Sequence, residues 1–320
     1  MFGNPEHAAE LFRTCLPAEV VARTDWSRLA LVSGSFVDQE LRQRHCDLLF
    51  RAPLAGTETF YYLLFEHQST PDPMLVFRLL KYQVRIWERW LREHPKAKRL
   101  PAIVPVVLYN GETQWNEARD FTELLDLEAA LRDALLEFHP RFRFLLDDLS
   151  QEKDEALRSR SLGALLSITL IALKNARHRE DLEGILLSCA ARLRQVSEAP
   201  TGREALHAIA SYILSVSEVV TTESLGQILA RAIDKDTGAQ VMTTAGQLLI
   251  EQGRQAGREE GREEGVLLGL QQALLRMLRL RFCDVPQSIE KRILSASRAE
   301  VDQWFGQALN AATVDDLFHP

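Results

Sequence analysis

Two acids and an amide stand where this sequence could do chemistry. Asp47 lies in His45-Cys46-Asp47-Leu48-Leu49-Phe50, and Glu66 and Gln68 lie in Phe65-Glu66-His67-Gln68-Ser69. Each acid abuts a strongly apolar run that reads as a strand. Residues two apart in a strand share a face, so Glu66 and Gln68 point the same way. If the two strands pair, the three polar groups converge. Paired carboxylates at the mouth of a sheet form a hard-oxygen site suited to Mg²⁺ or Mn²⁺, which takes one or two protein carboxylates and fills its shell with water and phosphate oxygens. The chemistry would be phosphodiester hydrolysis, with the cation lowering the pKa of a bound water and orienting the phosphate. Gln68 carries no charge, yet its amide can position water or phosphate. On spacing alone the alternative stays open: acids at strand ends are ordinarily solvated or paired with basic neighbours, and short motifs match by chance. His45 and His67 read as hydrogen-bonding neighbours rather than ligands.

The elements that must position these groups are legible as periodicity. A first helix is predicted over Pro5–Cys15, with Ala8, Leu11, Phe12 and Cys15 on one face. A strand follows over Leu29–Val37, then another over His45–Ala52, a turn at Ala55-Gly56-Thr57, and a strand over Phe60–Phe65 buried on both faces. A long helix starts after Asp72, the expected N-cap, with Pro73 at its first position. Its buried stripe is expected to be Val76, Leu79, Leu80, Val84, Trp87 and Leu91, and it ends near His94-Pro95. Ala102–Tyr109 is a further strand, closed by Asn110-Gly111. Beyond Trp115 the pattern reads as helical almost throughout, with three-to-four spacing over Leu157–Ala176, Glu180–Val196, Glu204–Ser217 and Leu225–Ala232, and an apolar buried helix around Leu162–Leu173.

The chain has 320 residues, 46% hydrophobic and 26% charged, enough for at least one full core and unlike a disordered chain. No apolar stretch is long enough to span a bilayer and no basic-then-apolar leader opens the chain, so a soluble, cytoplasmic protein is expected. Four scattered cysteines give no zinc spacing and fit a reducing compartment. The net charge of −7 argues against a nucleic-acid partner, but local fields decide binding. Arg78 to Arg99 holds eight basic residues against Glu88 and Glu93, a net +6. Such a run is commonly a solvated helix face. Beside the acidic motif it also offers a DNA-facing stripe: Arg78, Lys81, Arg85 and Arg89 at helical spacing, with the Tyr82 hydroxyl nearby.

Glycine recurs at positions 253, 257, 261, 265 and 269, with Gly-Arg-Glu-Glu as the clearest unit. Each glycine costs a helix up to ~1 kcal/mol relative to alanine, so the repeat is read either as a close-packing helix face or as a charged connector. With Leu267, Leu268, Leu270, Leu274, Leu275 and Leu278 as an apolar seam, a self-associating helix and a homo-oligomer are expected; the alternative is that the seam docks on the chain's own helices.

These stretches, taken together, resemble a known family. Leu16-Pro17, Ser35-Phe36-Val37-Asp38, Arg44-His45-Cys46-Asp47-Leu48-Leu49, Leu64-Phe65-Glu66-His67-Gln68-Ser69, Arg78-Leu79-Leu80-Lys81-Tyr82, Arg85-Ile86-Trp87 and Pro105 through Gly111 are similar to the recombination-promoting nuclease (Rpn) family, also described as transposases. The resemblance is strong from Asn4 to about Leu127 and looser through the glycine repeat and tail. It implies a PD-(D/E)xK nuclease-like core of order αβββαβ, a mixed central sheet flanked by helices, followed by a mostly helical C-terminal half. The implied organisation is 1–127 nuclease-like, 128–250 helical, and 251–320 glycine-repeat helix and tail. It further implies Asp47 and Glu66 as Mg²⁺ or Mn²⁺ ligands, Gln68 in place of the usual lysine, DNA as substrate, and a role in recombination or mobility. Related chains open with a His-Asp-x-x-Phe-Lys-like segment, whereas this sequence starts at Met1-Phe2-Gly3-Asn4-Pro5, so that segment's contribution is expected to be missing. The competing reading is a catalytically inactive DNA-binding or self-associating protein that keeps the nuclease fold.

Overall fold

The computed structural model describes residues 2–32, 46–66, 71–177, 181–282, 285–308, 311, 313, 314 and 317. The chain divides into two compact units, Met1–Ala245 and Gly246–Pro320.

The first unit is built on a five-stranded mixed sheet of order β1-β2-β3-β4-β5. The strands are β1 (Ala30–Leu31), β2 (Cys46–Leu54), β3 (Thr57–Glu66), β4 (Ala102–Tyr109) and β5 (Leu145–Asp148). The β1/β2 and β2/β3 pairs are antiparallel, and the β3/β4 and β4/β5 pairs are parallel. β2 and β3 join through Ala55 and Gly56, at φ 49° and 81°. Positive φ at both central residues is the two-residue hairpin geometry whose twist matches that of the strands. It fixes the register that sets Asp47 opposite Leu64.

β3 is buried on both faces, as its continuous apolar run requires. Tyr61 and Leu63 face one core, with Ala8, Leu11 and Phe12 of α1 (Pro5–Cys15), and Phe60, Tyr62 and Leu64 face the other, with Leu75, Val76, Leu79, Tyr82 and Ile86 of α3 (Leu75–Glu93). Asn4 caps α1 by accepting from the Glu6 N–H, and Pro5 follows at N1. α2 (Ala18–Arg23) and a 3-10 turn (Trp26–Arg28) lead into the sheet, where Thr24 Oγ1 and Tyr61 Oη share a hydrogen bond of 2.7 Å.

The rest of the first unit is largely helical: α4 (Ala129–Leu135), α5 (Asp154–Ser159), α6 (Ala164–Asn175), α7 (Leu182–Ser188), α8 (Ala190–Glu198), α9 (Gly202–Val216) and α10 (Thr222–Ala232). Residues of α6 to α10 belong to the same apolar cluster as α1 and the first sheet face. α11 runs from Lys235 to Phe282 and so enters both units. In the second unit Leu274, Leu275 and Leu278 of α11 pack with Ile289 and Ile293 of α12 (Gln287–Leu294) and Val301 and Trp304 of α13 (Arg298–Ala308).

Three expectations need correction. Residues 145–148 form a strand inside the stretch expected to be helical almost throughout. The buried stripe of α3 is rotated, for Leu75, Val76, Leu79, Tyr82, Gln83 and Ile86 are buried while Val84 and Leu91 are exposed. The leucine seam is largely covered by the chain's own α12 and α13, with Leu268 left 48% exposed. The expected strand over Leu29–Val37 is β1 at its start, and its continuation lies outside the described residues. Among the described residues no helix is long and apolar enough to cross a membrane.

Candidate active site

Glu66 ends β3, the central strand of the sheet. It shares the α3-facing side with Leu64 and Tyr62, since side chains alternate along a strand. Asp47 pairs with Leu64 across the β2/β3 ladder, so position 47 belongs to the same face. The two acids are therefore diagonal neighbours on adjacent strands, a relation that separates Cα atoms by about 7–8 Å in antiparallel sheets. Of Asp47 the structure describes the backbone, and Gln68 lies outside the described residues.

The Glu66 side chain is fully buried. Its Oε2 accepts a hydrogen bond of 2.8 Å from Arg78 Nη2, and Arg78 Nη1 donates at 2.5 Å to Asp72 Oδ2. The other Asp72 oxygen accepts from the Met74 N–H at 2.8 Å. Asp72 thus anchors the start of α3, although the observed N-cap, Met74, lies two residues beyond it. The chain of contacts runs from the α3 N-terminus through Asp72 and Arg78 to Glu66. Burying a carboxylate without a partner costs several kcal/mol, and the guanidinium of Arg78 offsets that cost.

Neighbouring groups complete the setting. Glu66 pairs with Tyr109 across the parallel β3/β4 ladder. Tyr109 Oη donates to the Thr113 carbonyl at 2.9 Å. Burial raises the Tyr109 phenol above its ordinary range, and the charges of Asp148 and Glu66 add to that. Asp148, on β5, accepts from the Trp115 N–H at 3.1 Å and from Ser150.

Of the stripe predicted to face DNA, Arg78 turns to Glu66 and Asp72, and Tyr82 is only 4% exposed, its ring 5.7 Å from that of Tyr62. Lys81 is exposed and Arg85 half-buried. Arg89 is half-buried and pairs with Glu93 at 2.9 Å.

A second polar cluster, on the opposite sheet face, went unread in the sequence. Asp147 of β5 is buried and accepts two hydrogen bonds from Arg160, at 2.8 and 2.6 Å. Arg160 also binds Glu152, and the Cys15 thiol donates to Asp147 at 3.3 Å. Lys174 pairs with Asp154 at 2.6 Å. Burial pushes the Cys15 thiol up to about 12, with the Asp147 charge adding to it, so the sulfur stays protonated and is no nucleophile. These contacts tie α1, β5, α5 and α6 together. The residues are scattered over 160 positions, and no local spacing signals them.

The carboxylate oxygens of Glu66, with an aspartate position on the same face, fit in kind what a hard divalent cation takes. Among the described residues no three His, Cys, Asp or Glu side chains gather as a cation site.

Sheet and site together define an α/β protein with a buried carboxylate–guanidinium centre at the end of its central strand. Comparison with known proteins gives the family. Residues 1–204 match the family described as "Putative transposase, YhgA-like", and the chain belongs to it. It is 26% identical over 252 residues to recombination-promoting nuclease RpnC of Escherichia coli (strain K12), covering 78% of each chain. It is 25% identical over 254 residues to RpnA of the same organism, covering 79% of this chain and 82% of the relative. The "inactive recombination-promoting nuclease-like protein RpnE", also from that organism, is 25% identical over 166 residues, covering 52% of this chain and 53% of the relative. No solved structure matches.

Proposed function

We propose that this chain is a DNA endonuclease that hydrolyses phosphodiester bonds with Mg²⁺ or Mn²⁺ held by Asp47 and Glu66. The observation that carries this reading is the fully buried Glu66 carboxylate on the same sheet face as position 47. The names of RpnC and RpnA support it. A bound cation would supply an activated water and neutralise charge on the phosphate. The protein's own part is geometric and electrostatic. Arg78 keeps Glu66 in place, and Gln68 would orient water or phosphate through its amide. Lys81, Arg85 and Arg89 on α3 would hold the DNA backbone, whose contacts fix position rather than sequence. Arg78 and Tyr82 act from inside the fold.

A second reading is a DNA-binding protein that keeps the fold without cutting. One observation favours it: the Arg78 guanidinium already sits on a Glu66 oxygen, where a divalent cation would compete with it. Plasmid cleavage in Mg²⁺, Mn²⁺, Ca²⁺ and chelator separates the two. Cutting that requires Mg²⁺ or Mn²⁺ supports the nuclease, and binding without cutting in every cation supports the second reading.

A further inference from the structure

α3 carries two apolar rows, and the sheet uses one. Leu75, Val76, Leu79, Tyr82, Gln83 and Ile86 are buried against the sheet. A second row, Phe77, Leu80, Val84, Trp87 and Leu91, has spacings that alternate three and four. Phe77, Val84 and Leu91 are 44%, 42% and 40% exposed, and Leu80 and Trp87 are half-buried. Leu100 is 48% exposed beside Pro101, whose carbonyl accepts from Trp87 Nε1 at 2.8 Å. Alternating three-and-four spacing is the seam of paired helices. A contiguous apolar surface of this kind marks an interaction site.

The charges beside the row say what covers it. Lys81 and Glu88 are both exposed and lie on one flank of the row, three residues before Val84 and four after it. A two-fold axis near Val84, perpendicular to both helices, reverses one helix and brings this flank of each copy together. Lys81 of each copy then meets Glu88 of the other, so the surface is complementary to itself. Parallel helices would instead oppose this flank to the side carrying Gln83 and Trp90, which offers no charge. We propose that the outer row of α3 is the seam of an antiparallel homodimer, paired with α3 of a second copy.

The same axis keeps Arg85, Arg89 and Arg92 of both copies on one side of the dimer, because these residues lie further round the same flank. Lys81 has three N–H donors, so one bond to the second copy's Glu88 leaves two for another ligand. The seam does not depend on whether the chain cuts DNA.

The test is sedimentation equilibrium of the full chain, without DNA or divalent cation, with melting temperatures measured alongside. The wild-type chain should be a dimer, and Val84→Glu, a change at an exposed position, should be monomeric with its melting transition retained. Lys81→Glu and Glu88→Lys should each weaken the dimer on the order of tenfold, since each places two like-charge pairs across the axis. The double variant Lys81→Glu/Glu88→Lys should restore wild-type affinity. A wild-type monomer at all concentrations overturns the proposal. So does a dimer indifferent to Val84→Glu, or a double variant no tighter than either single one.

Discussion

Glu66 is fully buried, and the Arg78 guanidinium pairs with one of its carboxylate oxygens. Removing that guanidinium leaves a carboxylate in the core, which is costlier than removing both partners together. Arg78→Met should therefore destabilise the first unit by about 3 kcal/mol, and Glu66→Gln/Arg78→Met by clearly less, read as urea midpoints. Equal losses in the two variants would mean that the pair contributes by packing alone. Cys15 gives a second prediction. Its folded-state value of about 12 lies above the ordinary 9.0, so the fold holds the thiol proton more tightly than the unfolded chain does. That contribution is complete below about pH 9 and is lost as pH rises from there toward about 12. From about pH 9 to about pH 11, wild-type stability should fall more steeply than that of Cys15→Ala; parallel slopes would contradict it. At this scale the sequence exposed the acid types and their positions beside apolar strands. It hid the Glu66–Arg78 pair, because twelve positions and a change of element separate the two residues. The Asp147–Arg160 cluster was hidden for the same reason.

Among the elements, periodicity read well where one face decides. α1 has one apolar stripe, and its residues were predicted to the limits observed, Pro5–Cys15. α3 has an apolar arc wider than one interface, so its pattern did not tell which part meets the sheet. β5 is four residues long, and its Leu-Leu-Asp-Asp run is too short for a period to distinguish strand from helix. The hairpin between β2 and β3 was marked by Gly56, while Ala55 carries the positive φ that glycine or asparagine would adopt more readily. The glycine repeat is the clearest case for measurement. A Cβ added at Gly253, Gly257, Gly261, Gly265 or Gly269 meets nothing within 4 Å. Gly257→Ala, Gly261→Ala and Gly265→Ala together should raise helicity and stability of α11 by up to about 1 kcal/mol each, followed by circular dichroism and thermal melting. A loss of stability, or a drop in oligomeric state, would show that another helix packs on this stripe.

At the scale of the whole chain, a net charge of −7 coexists with a basic helix beside a buried acid. Attraction to a phosphate backbone then depends on where the charge sits, and it weakens with salt as counterions are released. The chain belongs to the YhgA-like transposase family and is similar to RpnC and RpnA. Likeness to RpnE keeps the inactive alternative in play. What separates them is whether Asp47 and Glu66 act as a cation site. The most direct measurement is cleavage of supercoiled plasmid by the full chain in Mg²⁺ or Mn²⁺, beside Asp47→Asn, Glu66→Gln and a chelator control. The account predicts nicked and linear product for the wild-type chain alone, with both variants still folded and still binding DNA. Cleavage by Glu66→Gln at the wild-type rate in saturating cation, or wild-type cleavage that survives the chelator, would contradict it.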